Sequence, residues 1–261
     1  MNLDLTAKRA LVCGSTQGIG KAAAVELAQL GASITLVARD ENKLKATIQE
    51  LVAKNGQKHK YRVADFNFPD KLKSMIEKYA GEEIVHILIN NTGGPPGGPA
   101  LAAPLEEFTA AFSNHLLCNH ILVQALAPGM KKEKYGRIIN VISTSVKMPI
   151  KGLGVSNTIR GAVANWSKTL SVELAPFGIT VNNVLPGASM TGRLESIIHD
   201  RASKQNKSAE EVMKEMIAEI PAGRISSPYE VAAAIAFLAT PAAGYINGIN
   251  VPVDGGRMGT L

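Results

Sequence analysis

Short apolar segments alternate with longer amphipathic ones along almost the whole chain, and this alternation limits the fold more than any other feature. The short segments are rich in β-branched residues and mostly lack polar positions, as strands buried on both faces of a parallel sheet do. The longer segments have apolar residues at spacings of three and four, which predicts amphipathic helices. Regular succession of the two predicts β-α-β crossovers. The sequence therefore predicts an α/β fold with a doubly wound, mostly parallel, seven-stranded sheet and helices on both faces.

The predicted strands and helices cover most of the chain. The strands are Arg9 to Cys13, Ser33 to Ala38, His59 to Ala64, Ile84 to Ile89, Gly136 to Ile142, Ile179 to Leu185 and Ile249 to Val253. The helices include Gly20 to Leu30, Leu105 to Met130, Arg160 to Ala175 and Pro228 to Ala239. With 261 residues and no internal repeat or linker, residues 1–261 are expected to form one domain.

A polar stretch, Ala188 to Pro221, interrupts the alternation directly after a predicted strand. It contains one predicted helix, near Ala209 to Ile220. Ligands of open α/β sheets bind beyond the carboxyl ends of the strands, so insertions there often cover them. We therefore interpret residues 188–221 as a substrate lid.

Composition argues against several classes of protein. The net charge is +6, but the lysines are scattered and aromatic residues make up 5%, so no nucleic-acid partner is expected. No apolar run approaches the roughly 18 residues of a membrane span. The first residues, Met1 to Lys8, lack the basic start and apolar core of a signal peptide, so a cytoplasmic location is expected. Cys13 and Cys118 form no metal-ligand cluster, so no metal site is predicted.

A glycine-rich turn joins the first predicted strand to the first predicted helix. It reads Gly14-Ser15-Thr16-Gln17-Gly18-Ile19-Gly20. Glycines permit a sharp turn, let a pyrophosphate approach the main chain, and allow the helix to pack closely on the strand. The phosphates would then meet the helix N-terminus, where free N–H groups and the dipole favour negative charge. The motif's position between a buried strand and a helix predicts a dinucleotide-binding site.

The spacing of these glycines, GxxxGxG, resembles that of the short-chain dehydrogenase/reductase family. Segments along nearly the whole chain resemble the same family. They are Asn90-Asn91-Thr92-Gly93, Gly178 to Asn182, Pro186-Gly187 with Thr191, and Asp254-Gly255-Gly256. The resemblance implies a Rossmann-type fold, a bound nicotinamide dinucleotide, oxidoreductase activity, and a dimer or tetramer formed through the two long helices.

The end of the second predicted strand sets the choice of cofactor, because the adenosine ribose of a dinucleotide lies there. An acidic residue would accept hydrogen bonds from free ribose hydroxyls, whereas an arginine would pair with a 2′-phosphate. Arg39 stands at this position and favours NADP(H). Asp40 beside it keeps NAD(H) as an alternative, with Arg39 only stacking on the adenine.

The resemblance also implies which residues contact the cofactor. Asp65 and Phe66 would bracket the adenine, residues 91–93 would contact the adenosine ribose, and residues 186–191 would hold the carboxamide. The full predicted set is Gly14, Ser15, Gln17, Gly18, Ile19, Gly20, Arg39, Asp65, Phe66, Asn91, Thr92, Gly93, Arg160, Pro186, Gly187, Ser189 and Thr191.

Three of the four positions that carry catalysis in this family hold other residues here. The family has a serine, a tyrosine thirteen residues later, a lysine four residues beyond it, and an asparagine on a preceding helix. Ser143 matches the serine, but Ser156 and Arg160 stand at the tyrosine and lysine positions. His115 stands at the asparagine position. Because the flanking motifs keep their spacing, we interpret these differences as substitutions rather than as a shifted alignment.

These substitutions change which group can move a proton. A serine hydroxyl is far too weak an acid to replace a tyrosine, and arginine stays charged. The forked donors of Arg160 can hold ribose hydroxyls or a substrate carboxylate or phosphate. Of the four residues at these positions, only His115 has an ordinary pKa near neutrality. We hypothesise that His115, or a water held by it, donates the proton; a hydrogen-bonded histidine that transfers no proton is the alternative.

Three functions are compatible with this pattern. The first is an NADP(H)-dependent oxidoreductase that interconverts a carbonyl and an alcohol with a non-standard proton donor. The second is an enzyme that retains the nucleotide but catalyses a non-redox step, such as a lyase or aldol reaction on a hydroxycarbonyl. The third is an inactive NADP(H)-binding sensor or subunit. Arg193, Arg201, Lys204 and Lys207 in the predicted lid indicate an anionic small-molecule substrate, although such charges also occur on solvated surfaces.

Overall fold

The computed structural model describes residues 1–54 and 56–260, and a sheet of seven parallel strands lies at its centre. The strands are β1 (Arg9–Cys13), β2 (Ser33–Ala38), β3 (Lys60–Val63), β4 (Ile87–Asn90), β5 (Gly136–Val141), β6 (Ile179–Pro186) and β7 (Asn250–Val253). Their order is β3-β2-β1-β4-β5-β6-β7. The direction of winding therefore reverses between β1 and β4, where such sheets bind ligands. The predicted fold class is confirmed.

Helices cover both faces of this sheet. They are α1 (Gly18–Gln29), α2 (Glu41–Gln49), α3 (Pro69–Glu82), α4 (Leu105–Phe112), α5 (Cys118–Glu133), α6 (Gly154–Leu174), α7 (Gly192–Gln205), α8 (Ala209–Ala218) and α9 (Pro228–Ala239). A π-helical turn at Ser113–Leu117 joins α4 to α5, so the predicted helix Leu105 to Met130 is continuous but locally widened.

The two covered faces explain why the strand sequences lack polar positions. In β1, Ala10 and Val12 pack in the core that includes α1 and α9. Leu11 and Cys13 pack in the opposite core, which includes α3 and α5. Successive side chains of a strand point to opposite faces, so covering both faces buries every position.

A ladder of asparagines, three of them buried and one partly buried, connects the four strands on one side of the sheet. Asn90, Asn140, Asn183 and Asn250 stand opposite one another in β4 to β7. Their amides bond in a row, with N···O distances of 2.8, 3.0 and 2.8 Å. Buried polar groups are retained when they are hydrogen-bonded, and this network fixes the register of the strands near their carboxyl ends.

Helix α6 begins at Gly154, earlier than the predicted Arg160. The residues between them, Val-Ser-Asn-Thr-Ile, have modest helix propensity, but tertiary contacts stabilise the first turn. Gly154 N–H donates to the Gly98 carbonyl at 2.9 Å, and the Asn157 side chain donates to the Ile150 carbonyl at 2.9 Å. A Cβ at Gly154 would lie 2.3 Å from the Ala100 nitrogen, so only glycine fits.

The stretch interpreted as a lid contains two helices rather than the single predicted one. Helix α7 was not expected, although its signals were present in the sequence. Thr191 caps it by accepting a hydrogen bond from Leu194 N–H at 3.3 Å. Leu194, Ile198 and Ala202 follow at spacings of four and pack with Met216 of α8 in a small apolar cluster. Residues 188–221 are therefore a helical hairpin with its own core.

Candidate functional site

The loops after β1, β4, β5 and β6, together with α7, surround one cleft of about 640 Å³. Most of the site residues predicted from the sequence line this cleft. Those lining the cleft are Gly14, Gln17, Gly18, Ile19, Arg39, Asp65, Phe66, Asn91, Thr92, Gly93, Ser143, Ser156, Arg160, Pro186, Gly187, Ser189 and Thr191. Three of the predicted site residues do not line the cleft: Ser15, Gly20 and His115.

The glycine-rich turn requires glycine for conformation and for space. Gly14 and Gly18 have φ angles of +59° and +54°, in the left-handed region that favours glycine. A Cβ at Gly20 would lie 2.2 Å from the Gly14 carbonyl oxygen. Helix α1 begins with no acidic residue in its first turn and no side-chain cap from Gln17. Its terminal N–H groups are thus available to an anion.

Ser15 and Gly20 shape this turn from behind. Ser15 is fully buried, and its Oγ donates to the Val37 carbonyl at 3.3 Å, which ties the turn to β2. Gly20 lets α1 pack against Gly14. Neither residue lines the cleft, and contact of both residues with the cofactor stays a prediction. Thr16, which the sequence analysis omitted, does line it.

The end of the cleft beside β2 carries two cations. Arg39 is exposed and lines the cleft together with Lys43, the second cation, which sequence reasoning missed. Asp40 caps α2 by accepting a hydrogen bond from Lys43 N–H at 3.0 Å. One oxygen of the Asp40 carboxylate is therefore engaged at the N-terminus of α2, and two cations outnumber this single acid. This arrangement suits a phosphate group.

The segment after β6 is held by contacts with distant parts of the chain. A Cβ at Gly187 would lie 2.7 Å from Asp254 Cα, so glycine allows the two segments to meet. The Ser189 and Ser226 hydroxyls lie 2.6 Å apart. Thr191, besides capping α7, donates to the Ser189 carbonyl at 3.3 Å. Residues 186–191 thus form a fixed wall of the cleft.

Ser143 and Ser156 line the cleft beyond β5. Ser143 lies two residues beyond the end of β5, and its Oγ accepts a hydrogen bond from Ser145 N–H at 3.1 Å. Ser156 lies in the first turn of α6, one helical turn before Arg160. Both serines are half-buried, so their hydroxyls are available to a ligand in the cleft.

His115 lies in the π-helical turn and is 2% exposed. Its Nδ1 is 2.5 Å from Thr92 Oγ1, and Thr92 in turn lines the cleft. Burial, with the positive charges of Arg160 and Arg193, lowers the pKa of His115 to about 2. A neutral imidazole engaged with Thr92 favours the alternative interpretation, a structural histidine that transfers no proton.

Arg160 is 6% exposed, and its Nη1 donates to the Val141 carbonyl at 3.2 Å. Burial and the charge of Arg193 lower the pKa of Arg160 to about 10, so it remains charged at neutral pH. Arg193 is half-buried and donates to the Pro95 carbonyl. Its guanidinium lies against Gly94. Both arginines therefore bring positive charge to the cleft that they line.

A second cavity of about 540 Å³ adjoins the cleft. Seven residues line both spaces: Thr144, Ile150, Leu153, Ile197, Arg201, Met216 and Arg257. Of the basic residues in the helical hairpin, Arg201 and Lys204 line this cavity, whereas Lys207 forms an exposed ion pair with Glu215.

Within residues 1–54 and 56–260, no group of three or more His, Cys, Asp and Glu side chains could hold a metal ion. In the same part of the chain, no helix is both long enough and apolar enough to cross a membrane.

Comparison with known proteins shows similarity over nearly the whole chain. A family model described as enoyl-(acyl carrier protein) reductase matches residues 14–257. A 3-oxoacyl-[acyl-carrier-protein] reductase from Synechocystis sp. is 34% identical over 259 residues, with 97% of this chain and 98% of that protein covered. The NADPH-dependent reductase BacG from Bacillus subtilis is 29% identical over 261 residues, covering 98% of this chain and 100% of BacG.

Solved structures share the same fold. The crystal structure of L-sorbose reductase from Gluconobacter frateurii, complexed with NADPH and L-sorbose, has a TM-score of 0.92 to this chain. The two are 28% identical, and the match covers 100% of both chains. The match thus includes the cleft, the helical hairpin and both edges of the sheet.

Proposed function

The chain belongs to the short-chain dehydrogenase/reductase family, and on that premise we propose that it is an NADP(H)-dependent oxidoreductase that interconverts a carbonyl and an alcohol. Relatives named as NADPH-dependent, or crystallised with NADPH, support this choice of cofactor. A cytoplasmic location and a homo-oligomeric state stay predictions.

The observation that carries the proposal is that one cleft joins two chemically different ends. One end offers the glycine-rich turn and the open N-terminus of α1, beside Arg39 and Lys43. The other offers the hydroxyls of Ser143 and Ser156. A dinucleotide spans such a distance across the switch point of a doubly wound sheet, which brings its nicotinamide end towards the two serines.

The described residues fit NADP(H). The space that Gly14 and Gly20 keep free would admit the pyrophosphate to the N-terminus of α1. Arg39 and Lys43 would bind the 2′-phosphate, since both cations line this end of the cleft. When bound, NADPH supplies a hydride for the carbonyl carbon. The remaining contacts would come from Asp65 and Phe66 at the adenine, Asn91, Thr92 and Gly93 at the ribose, and Pro186, Gly187, Ser189 and Thr191 at the carboxamide.

Ser143 and Ser156 would bind the oxygen of the substrate's carbonyl group and hold it in one orientation. Orientation alone can contribute a large part of a rate enhancement. No histidine is among the described residues that line the cleft, so none of them supplies a side chain with an ordinary pKa near neutrality. We infer that the proton comes from a water held by the two serines. Arg160 would stabilise negative charge on the oxygen as it develops.

Isotope transfer tests this proposal. The protein would be incubated with NADPH that carries deuterium at both C4 positions and with a panel of aldehydes, ketones and 2-oxo acids, and the products analysed by mass spectrometry. We expect deuterium on the carbinol carbon, in amounts matching NADPH oxidation. Ser143→Ala should lower turnover at least tenfold, whereas Ser203→Ala, an exposed serine of α7, should not. Products that form without deuterium would refute hydride transfer.

The second candidate is a non-redox reaction on a hydroxycarbonyl, with the nucleotide retained. The absence of a histidine among the described cleft-lining residues favours it, because net reduction needs a proton that the side chains there do not readily supply. Turnover with no change in NADPH absorbance would identify this activity.

A further inference from the structure

Arg160 and Arg193 are two cations that line the cleft without a direct ion pair to a described carboxylate. Each donates a hydrogen bond to a main-chain carbonyl, Arg160 to Val141 and Arg193 to Pro95. Neither takes part in an ion pair within the part of the chain that the structure describes. The negative charge of Asp200 partly offsets the charge of Arg193, whereas Arg160 is subject to the positive charge of Arg193.

Such an arrangement is costly unless a ligand compensates it. Arg160 is 94% buried, and a guanidinium removed from water without an anionic partner loses several kcal/mol of solvation. A second guanidinium nearby adds repulsion. Both arginines line the cleft, so their remaining N–H donors can reach a bound molecule. A forked pair of donors from each side chain matches the oxygens of a carboxylate or a phosphate.

The cofactor does not account for both charges. Its phosphates are assigned to the turn after β1 and to Arg39 beside β2, whereas Arg160 contacts the end of β5. Strands β1 and β5 are two positions apart in the sheet, roughly 10 Å. The nicotinamide ribose could occupy one arginine, but its hydroxyls are neutral. The two cations that line this cleft therefore call for an anion other than the cofactor.

We propose that the substrate carries an anionic group, a carboxylate or a phosphate, which Arg160 and Arg193 bind together beside Ser143 and Ser156. The proposal rests on the proposed function in placing the reacting carbonyl at the two serines. Arg193 comes from α7, so the anion would also fasten the helical hairpin to the sheet. Neutral aldehydes and ketones would neither bind the two arginines in this way nor hold the helical hairpin against the sheet.

Calorimetric titration tests the site without cofactor or turnover. The probes are oxalate, inorganic phosphate and, as the uncharged control, oxamide. The titrations use protein carrying Arg39→Gln, so that the predicted 2′-phosphate site does not contribute. We expect an anion to bind and oxamide not to bind. Preference for oxalate assigns a carboxylate, and preference for phosphate assigns a phosphate ester.

Variants in the same background locate the binding. Arg193→Gln should weaken anion binding at least tenfold, and Arg160→Gln should do the same. Arg193 is only half-buried, so Arg193→Gln is expected to fold even where Arg160→Gln does not, and it then carries the test alone. Thermal unfolding shows whether each variant is folded. Arg224→Gln is the control, because Arg224 pairs with Glu230 on the surface and lines neither space. Any of three results would overturn the proposal: that Arg193→Gln binds anions as tightly as the parent, that oxamide binds as tightly as oxalate, or that no anion binds.

Discussion

Replacing His115 by asparagine should make the protein less sensitive to acid. In the native state burial, Arg160 and Arg193 hold the pKa of His115 near 2, against an ordinary value of 6.5. Above pH 6.5 the imidazole is neutral in both states and its titration contributes nothing. Below pH 6.5 the unfolded chain takes up a proton that the native chain refuses, so native stability falls. At pH 5 this amounts to about 2 kcal/mol, from 1.4 kcal/mol per pH unit.

Urea unfolding of the wild type and His115→Asn at pH 8 and pH 5 measures this effect. At pH 8 the variant loses the contact with Thr92 and is expected to be less stable by about 1–3 kcal/mol. At pH 5 it should recover about 2 kcal/mol relative to the wild type, since asparagine does not titrate. His199→Asn, an exposed position on α7, should show no comparable recovery. A difference between His115→Asn and wild type that is the same at both pH values would refute the buried, neutral histidine.

Three further substitutions probe the cofactor end and the sheet. Arg39→Gln should weaken NADPH binding about 10- to 100-fold, because one charge-assisted hydrogen bond is lost, and should leave NADH binding unchanged. Fluorescence titration measures both affinities. The control is Lys45→Gln, which breaks an exposed ion pair with Glu41. Gly20→Ala should abolish nucleotide binding, because its Cβ would overlap the carbonyl oxygen 2.2 Å away, and calorimetry with NADPH would detect any retained site. Asn140→Leu should lower the free energy of unfolding by about 3–5 kcal/mol, since it leaves three buried partners unsatisfied; a loss below about 1 kcal/mol in urea unfolding would show that the asparagine ladder is not stabilising.

The sheet was readable from sequence because its strands are buried on both faces. An uninterrupted apolar run such as residues 9–13 is compatible with few structures other than a strand buried on both faces. The glycines at 14, 18 and 20 then indicate where the first helix begins. The asparagines in β4 to β7 look like breaks in that pattern. They are tolerated because each faces an amide on the neighbouring strand, which only the three-dimensional register reveals.

The candidate site was less predictable where tertiary contacts override local signals. Counting from Ser143 placed Ser156 and Arg160 in the cleft, but no count shows that His115 is buried behind Thr92. Burial of a titratable group depends on packing from elements that are distant in sequence, here α3 and α6 against the π-helical turn. The influence of Arg193 on Arg160 has the same origin, because the fold places the start of α7 in the wall of the same cleft.

Equilibrium binding of NADPH and NADH, followed by nicotinamide fluorescence, tests the central claim most directly because it requires no substrate. We expect NADPH to bind at least tenfold more tightly than NADH, a difference of about 1.4 kcal/mol. Failure of both nucleotides to bind the folded protein would contradict the proposed function.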